Sequence, residues 1–303
     1  MKIKIAFLCL AHNNFSFLEQ VSHYYCSDDD VLFLHLDDKA EHTLLNHAHK
    51  KTVVVPKNER FRTRWGTFNI VKATIKLLQI ACEHGHYDKF ILISGADTPL
   101  LSKSELKHYL NNDLSYFSFW HQTATKDKPS PLKDEFFKCH YYRSLFTNPG
   151  EAYLTKSRTK IYTMLLLNKI IKLFPTNRNF NYATYVKGSQ WWCMSHELAK
   201  YILIECSKKE SIEQFEKMHA PDEKIFHTFA YNSPYVDKIC TDYGQGSLKQ
   251  GIHYIDWGRH KAKKVLQKFL LNDIVKAKAL NCCFARKIEN DDLRLFIQYI
   301  KKL

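Results

Sequence analysis

Phe90-Ile91-Leu92-Ile93-Ser94-Gly95-Ala96-Asp97-Thr98-Pro99 is a short apolar run that breaks into a turn of small and polar residues. It reads as a buried strand over residues 90–93 delivering residues 94–97 to one end of a sheet. The same punctuation recurs upstream. Residues 4–10 predict a strand and residues 15–25 a helical stretch. A second strand over residues 31–36 follows the turn Ser27-Asp28-Asp29-Asp30, a third spans residues 51–55, and a long helix covers residues 68–84. Strands separated by helices imply βαβ units and a mostly parallel sheet covered on both faces, an α/β fold. Ligands of such sheets bind beyond the carboxyl ends of the strands. That rule puts His12-Asn13, Asp37-Asp38-Lys39 and residues 94–97 on one rim. No GxGxxG follows the first strand, so a dinucleotide site lacks its usual support.

The chain has 303 residues, enough for one large domain or two small ones and for a substantial core. Lys and Arg total 45 against 31 Asp and Glu, a formal charge of +14 that draws anionic substrates, polyanions or membranes without choosing among them. A dedicated nucleic-acid binder is disfavoured: the cations are scattered, with short runs such as residues 261–264, and no zinc-finger or RNP-like signature occurs. The nine cysteines include no CxxC pair, which favours a reducing compartment over a disulfide scaffold or a cysteine-rich zinc site. The apolar run at residues 5–11 is too short for a signal sequence or an anchor, and no stretch approaches the ~18 apolar residues of a membrane span. The expected location is therefore the cytoplasm.

Residues 116–185 are less regular. Residues 126–133 are polar with two prolines and fit either a substrate-facing loop or a solvated connection. Residues 158–174 set apolar positions among Lys169 and Lys172, consistent with a helix lying on anionic membrane at its inner face or packed against the domain. A second α/β region predicts a strand at 191–194, helices at 196–206 and 223–231, and helical segments at 272–280 and 291–302.

Four groups of residues carry candidate chemistry. In Pro221-Asp222-Glu223 the proline suits a first helical turn, whose free N–H groups favour acids. Two adjacent acids point about 100° apart around a helix, so one can brace while the other faces a cleft as a general base. Arg259-His260-Lys261-Ala262-Lys263-Lys264 and Arg286-Lys287 read either as a solvated face or as a clamp on a diphosphate. Gly188-Ser189-Gln190-Trp191-Trp192-Cys193-Met194-Ser195 offers an amide that donates and accepts, and tandem rings on opposite sides of an extended segment. One ring belongs to the core and the other is available to a sugar's apolar face. Asp28-Asp29-Asp30 and the adjacent Asp37-Asp38 are the carboxylate groups a metal would use, but residues 28–30 precede their strand, and a turn explains them better. His12, Asp97 and His227 read mainly as structural hydrogen-bonding residues.

Leu36-Asp37-Asp38-Lys39, Arg64-Trp65-Gly66, the stretch from Leu92 to Pro99, Gly188 to Ser195, Pro221-Asp222-Glu223, Tyr254-Ile255-Asp256-Trp257-Gly258 and Phe284-Ala285-Arg286-Lys287 together resemble the core-2/I-branching glycosyltransferases, which include the peptide xylosyltransferases. The resemblance implies a GT-A-like fold and inversion at the anomeric carbon. It implies a UDP-sugar donor, commonly UDP-N-acetylglucosamine and UDP-xylose in one branch, and no essential metal or other cofactor. It further implies Glu223 as base, and Lys287 with Lys264 on the diphosphate beside Arg286. Arginine is expected at the second of these positions, so Lys263, Lys261 or Arg259 are alternatives. Asp37 would meet the uridine, with Leu10, Ala11 and His12 lining its pocket. Gln190, Trp191, Trp192 and Glu135 are the acceptor candidates. The chain is expected to be one catalytic domain, residues 1–303, with a nucleotide-binding half over 1–115 and an acceptor-binding and catalytic half over 116–303. The absence of an anchor and of disulfides resembles a bacterial relative building surface polysaccharide or lipooligosaccharide. A non-enzymatic protein binding nucleic acid or anionic membrane is the alternative from another class, and it leaves the grouped motifs without a purpose.

Overall fold

The computed structural model describes residues 3–26, 29–38, 45–63, 65–124, 181–216, 218, 220–241, 247–260 and 263–303, with positions 159, 163 and 166. Strands β1 (Ile5–Ala11), β2 (Val31–Leu36), β3 (Val53–Val54) and β4 (Lys89–Ser94) pair in parallel in the order β4-β1-β2-β3. Of the other strands, β5 (Thr98–Pro99) lies outside this sheet, while β6 (Ser115–Tyr116) and β9 (Cys193–Ser195) extend it beyond β4 in antiparallel fashion. A final edge strand, β10 (Ile239–Cys240), runs parallel to β6. This mixed sheet flanked by helices is the arrangement expected of a GT-A-like fold.

The central strands are buried on both faces, which is why they read as apolar runs rather than alternations. Successive residues of β1 still serve opposite sides. Phe7 and Cys9 join Phe17, Val21 and Tyr25 of helix α1 (Phe15–Tyr25) in one core. Ala6 and Leu8 join Val71, Leu77 and Leu78 of α2 (Phe68–His84) in the other.

At the amino ends of the strands, α3 (Lys103–Tyr109) is fixed by a capping box in which Ser102 Oγ accepts from Glu105 N and Glu105 Oε2 accepts from Ser102 N. Lys103 and Lys107 are four residues apart and share a helix face. Their Nζ atoms lie 3.2 and 3.1 Å from Oδ2 of the wholly buried Asp30, whose Oδ1 accepts from Ile5 N at 2.8 Å. Asp30 therefore ends the turn read from the sequence as a buried ion-paired brace.

The second half adds β7 (Phe119–Ala124) antiparallel to β8 (Thr184–Gly188), and helices α4 (His196–Ser207), α5 (Lys209–Glu216) and α6 (Ile225–Tyr231). A small sheet follows, in the order β11 (Lys249–Gln250), β12 (His253–Ile255), β15 (Phe284–Arg286), β5. β13 (Trp257–His260) and β14 (Lys263–Leu266) form a hairpin, and α7 (Ile274–Ala279) and α8 (Leu293–Ile300) close the chain, α8 against α1.

Several boundaries differ from the sequence reading. The strand near the tryptophans begins at Cys193, after both rings. Pro221–Glu223 is a 3₁₀ turn, and Lys224 at φ −130°, ψ −50° separates it from α6, so the expected helix starts later. The expected third strand and the last two helices are shorter at both ends. Residues 126–133 lie outside the described residues, as does nearly all of 158–174. Among the described residues no helix is long and apolar enough to cross a membrane.

Candidate active site

The carboxyl ends of β1, β2 and β4 are stitched into one rim. Gly95 N donates to Leu10 O at 3.1 Å, and Asp37 N to Ala11 O at 2.8 Å. A Cβ at Gly95 would lie 3.2–3.3 Å from Ala11 Cβ, Asn13 O and Leu18 Cδ1, so the turn after β4 packs tightly against β1 and α1. Asp37 is buried, and its Oδ2 accepts from both N and Oγ1 of Thr63. His35 Nε2 accepts from Phe61 N at 2.9 Å, and burial pushes this imidazole down to about 4, so it serves as a neutral acceptor. Together these bonds pin residues 61–63 across the end of β2. His12 is exposed on the same rim. Its pKa is lowered by partial burial first and by Lys287 next; Arg286 lowers it further and Asp37 opposes. His12 thus lies within the electrostatic reach of Asp37, Arg286 and Lys287.

Strand β15 brings that basic pair there by pairing with β5, the continuation of the turn at residues 94–97. Asp97 is wholly buried; it accepts from Ser94 N and Ser94 Oγ, both at 2.7 Å, and Arg286 Nε lies 3.6 Å from its Oδ1. The guanidinium carbon sits 4.0 Å from the centre of the Trp191 ring. His253 Nε2 is 3.9 Å from Asp97, but burial, with Arg286 adding to it, pushes this ring down to about 3, so Arg286 is the cation of the cluster. Arg286 is thus anchored on two sides, its Nε facing Asp97 and its guanidinium face lying over Trp191. Lys287 is the exposed member of the pair. Its carbonyl accepts from Phe269 N at 2.9 Å, and Ile288 N donates to Ala96 O at 3.0 Å, which fixes the backbone on either side of the lysine.

The turn that carries Glu223 is bonded to the segment following residues 61–63. Ala220, in a left-handed conformation (φ 45°), donates its N–H to Gly66 O at 3.3 Å, tying the 3₁₀ turn to the segment that enters α2. Asp222 turns inward and is buried, whereas a fifth of the Glu223 side chain is exposed. Burial, and the Glu223 charge beside it, push Asp222 up to about 7. Lys187 Nζ lies 3.1 Å from Glu223 Oε2. Strand β8 can present Lys187 there because Gly188 lets it close in: a Cβ at that position would fall 1.6 Å from Ser118 O and 2.5 Å from His227 Cδ2. Val186 N donates to Thr228 Oγ1 at 3.1 Å, locking β8 to α6. Neither Lys187 nor the exposed indole of Trp65, next to Gly66, stood out as a site residue; Trp65 had appeared only inside the Arg64-Trp65-Gly66 motif.

A sequence profile of the Core-2/I-Branching enzyme family matches residues 5–279. The chain belongs to that family. A beta-glucuronosyltransferase of Arabidopsis thaliana, GlcAT14B, is 22% identical over 262 residues, 84% of this chain and 52% of the plant protein. The chain thus spans about half the length of that relative. HddC from Yersinia pseudotuberculosis, a solved structure, aligns over 40% of this chain and 60% of its own at 13% identity with a TM-score of 0.26, too slight a likeness to carry an argument.

For this branching-family chain the remaining sequence candidates divide. Trp192, one of the acceptor candidates, is wholly buried and packed on Phe117 and Phe226, so it takes the core position expected of one of the two rings. Trp191 is 7% exposed beneath Arg286 and beside His253, so its ring, too, is mostly covered. Gln190 is half-buried. Glu135 lies outside the described residues. Lys264 pairs across the hairpin with Arg259, and Lys263 with His260; Lys261 is not described. Among the described residues no group of three or more His, Cys, Asp or Glu is arranged to hold a metal ion.

Proposed function

We propose that the chain is an inverting, metal-independent glycosyltransferase that moves a sugar from a UDP-sugar to a hydroxyl of a glycan acceptor. The observation that carries the reading is the convergence of His12, Asp37 and Lys287 on one rim to which the Glu223 turn is also tied. Glu223 takes the proton of the acceptor hydroxyl, whose oxygen bonds to the anomeric carbon from the face opposite the leaving group. The bond from that carbon to the phosphate oxygen breaks, and its electron pair leaves with UDP. Lys287, together with Lys264 or its hairpin partner Arg259, neutralises the charge that builds on the diphosphate. The uridine lies against Leu10, Ala11, His12 and Asp37. Residues 1–115 supply the nucleotide half, and 116–303 the acceptor half and catalytic groups.

N-acetylglucosamine is the donor sugar favoured by the family resemblance; xylose and, from the plant relative, glucuronic acid are the alternatives. Trp65 is the exposed ring nearest in sequence to the Glu223 anchor and offers an acceptor sugar a stacking face. The biological setting we propose is bacterial surface polysaccharide or lipooligosaccharide synthesis in the cytoplasm, with peripheral contact to anionic membrane. A panel of UDP-sugars assayed for UDP release, with and without glycan acceptor and EDTA, tests the reading. One donor should be turned over at the same rate in EDTA. Strong inhibition by EDTA returns Asp37 and Asp38 to a metal role, and no release from any UDP-sugar contradicts the proposal.

A further inference from the structure

At the opposite end of the parallel strands lies a recess that sugar transfer does not use. A cavity of about 490 Å³ opens between the starts of β1, β2, β3 and β4. Its lining charges are those of Lys4, Lys50 and Lys51 against the carboxylate of Asp29, with His84 and His86 completing the polar wall; Asp88, just outside the lining, accepts from Lys4 N at 2.7 Å and lies 3.8 Å from His86 Nε2. His84 Nδ1 is 2.7 Å from the Tyr87 hydroxyl, which fixes the ring in the wall of the recess. The cavity has the volume of sites that hold small molecules, roughly 300–1,000 Å³. A surplus of lysines around a concave wall focuses positive potential, and ammonium groups meet phosphate as point charges from several directions. An extended polyanion would call for a stripe of cations along the surface, whereas these three approach one hollow.

We propose that this recess is a second anion site, one that takes the phosphate group of a small phosphorylated molecule and is separate from the rim assigned to sugar transfer. The inference stands independently of the catalytic reading.

Gly85, in the wall of the recess, supplies a clean perturbation. Its backbone is extended (φ 164°), and no heavy atom lies within 4 Å of where a Cβ would be, so Gly85→Glu adds a carboxylate to the recess without displacing a neighbour. Inorganic pyrophosphate, titrated calorimetrically at low ionic strength, is the probe. Wild-type protein should show a binding component that Gly85→Glu and the exposed pair Lys50→Glu/Lys51→Glu each weaken by about tenfold or more. The same component should persist in Lys287→Ala, which separates it from the other rim. Circular dichroism and thermal midpoint check the fold; should Gly85→Glu fail there, the double lysine variant decides. Absence of pyrophosphate binding to wild type, binding indifferent to the recess variants, or binding lost in Lys287→Ala alone overturns the proposal.

Discussion

At the amino end of the parallel strands Asp30 is wholly buried and shared by Lys103 and Lys107; at the carboxyl end Glu223 keeps a fifth of its side chain exposed and meets Lys187 at one oxygen. The residue chemistry is the same, and burial decides what it does. A buried carboxylate with two ammonium groups is closed to further partners and holds elements together, because removing it strands two charges away from water. A half-open pair costs little to separate, so its carboxylate is available to an incoming hydroxyl. The difference teaches that a fully buried pair serves as a brace, whereas a half-open one leaves its carboxylate free for chemistry.

The comparison can be broken most forcefully at Asp30. Asp30→Ala should lower stability by about 3–5 kcal/mol in urea titration, with UDP release per folded molecule unchanged; a small loss would remove the brace from the account.

Next in size is a pH effect from Asp222. Its folded pKa, about 7, lies above the ordinary aspartate value of about 3.9, so the folded state holds the proton more tightly than the unfolded chain. Stability is therefore greatest below about pH 4 from this group and falls as pH rises through about 7, by at most roughly 1.4 kcal/mol per pH unit. Between pH 5 and 8 the urea midpoint of wild type should drop more than that of Asp222→Asn; parallel curves would contradict the buried, protonated carboxyl.

Smaller again, Lys287→Ala should weaken UDP binding by about 10- to 100-fold, the loss of one or two charge-assisted contacts. Its melting temperature should stay unchanged, since the side chain is exposed. Smallest of all, Lys187→Met should cost under about 1 kcal/mol of stability, as expected for a partly exposed pair. A cost matching that of Asp30→Ala would erase the contrast between the two rims.

The central sheet was legible because its signals are local. Helices α1 and α2 occupy the residues that the sequence pattern marks, and the apolar runs of β1, β2 and β4 lie within a residue of their expected limits. The small sheet β11-β12-β15-β5 was not legible, since strands of two or three residues carry no periodicity and gain their partners only from the tertiary fold. The same limit governs the site. Alternation correctly sends Trp191 and Trp192 to different surroundings, but it cannot tell that both sides are covered, one by Phe117 and Phe226 and the other by Arg286 and His253. Arg286-Lys287 reads as two equivalent cations until Asp97, far away in sequence, takes up one of them. Asp222-Glu223 fared better: the angular offset of neighbours in a turn anticipates one inward and one outward acid even though the turn is 3₁₀. Lys187 had no sequence signal, because its role comes from Gly188 letting β8 approach His227 and Ser118.

The central claim is that Glu223 is the base, and Glu223→Gln tests it most directly, with turnover and UDP-sugar binding measured on the same preparation. The account predicts a turnover lower by roughly 10²–10⁴-fold with donor affinity close to wild type. Near-normal turnover with intact binding would contradict it.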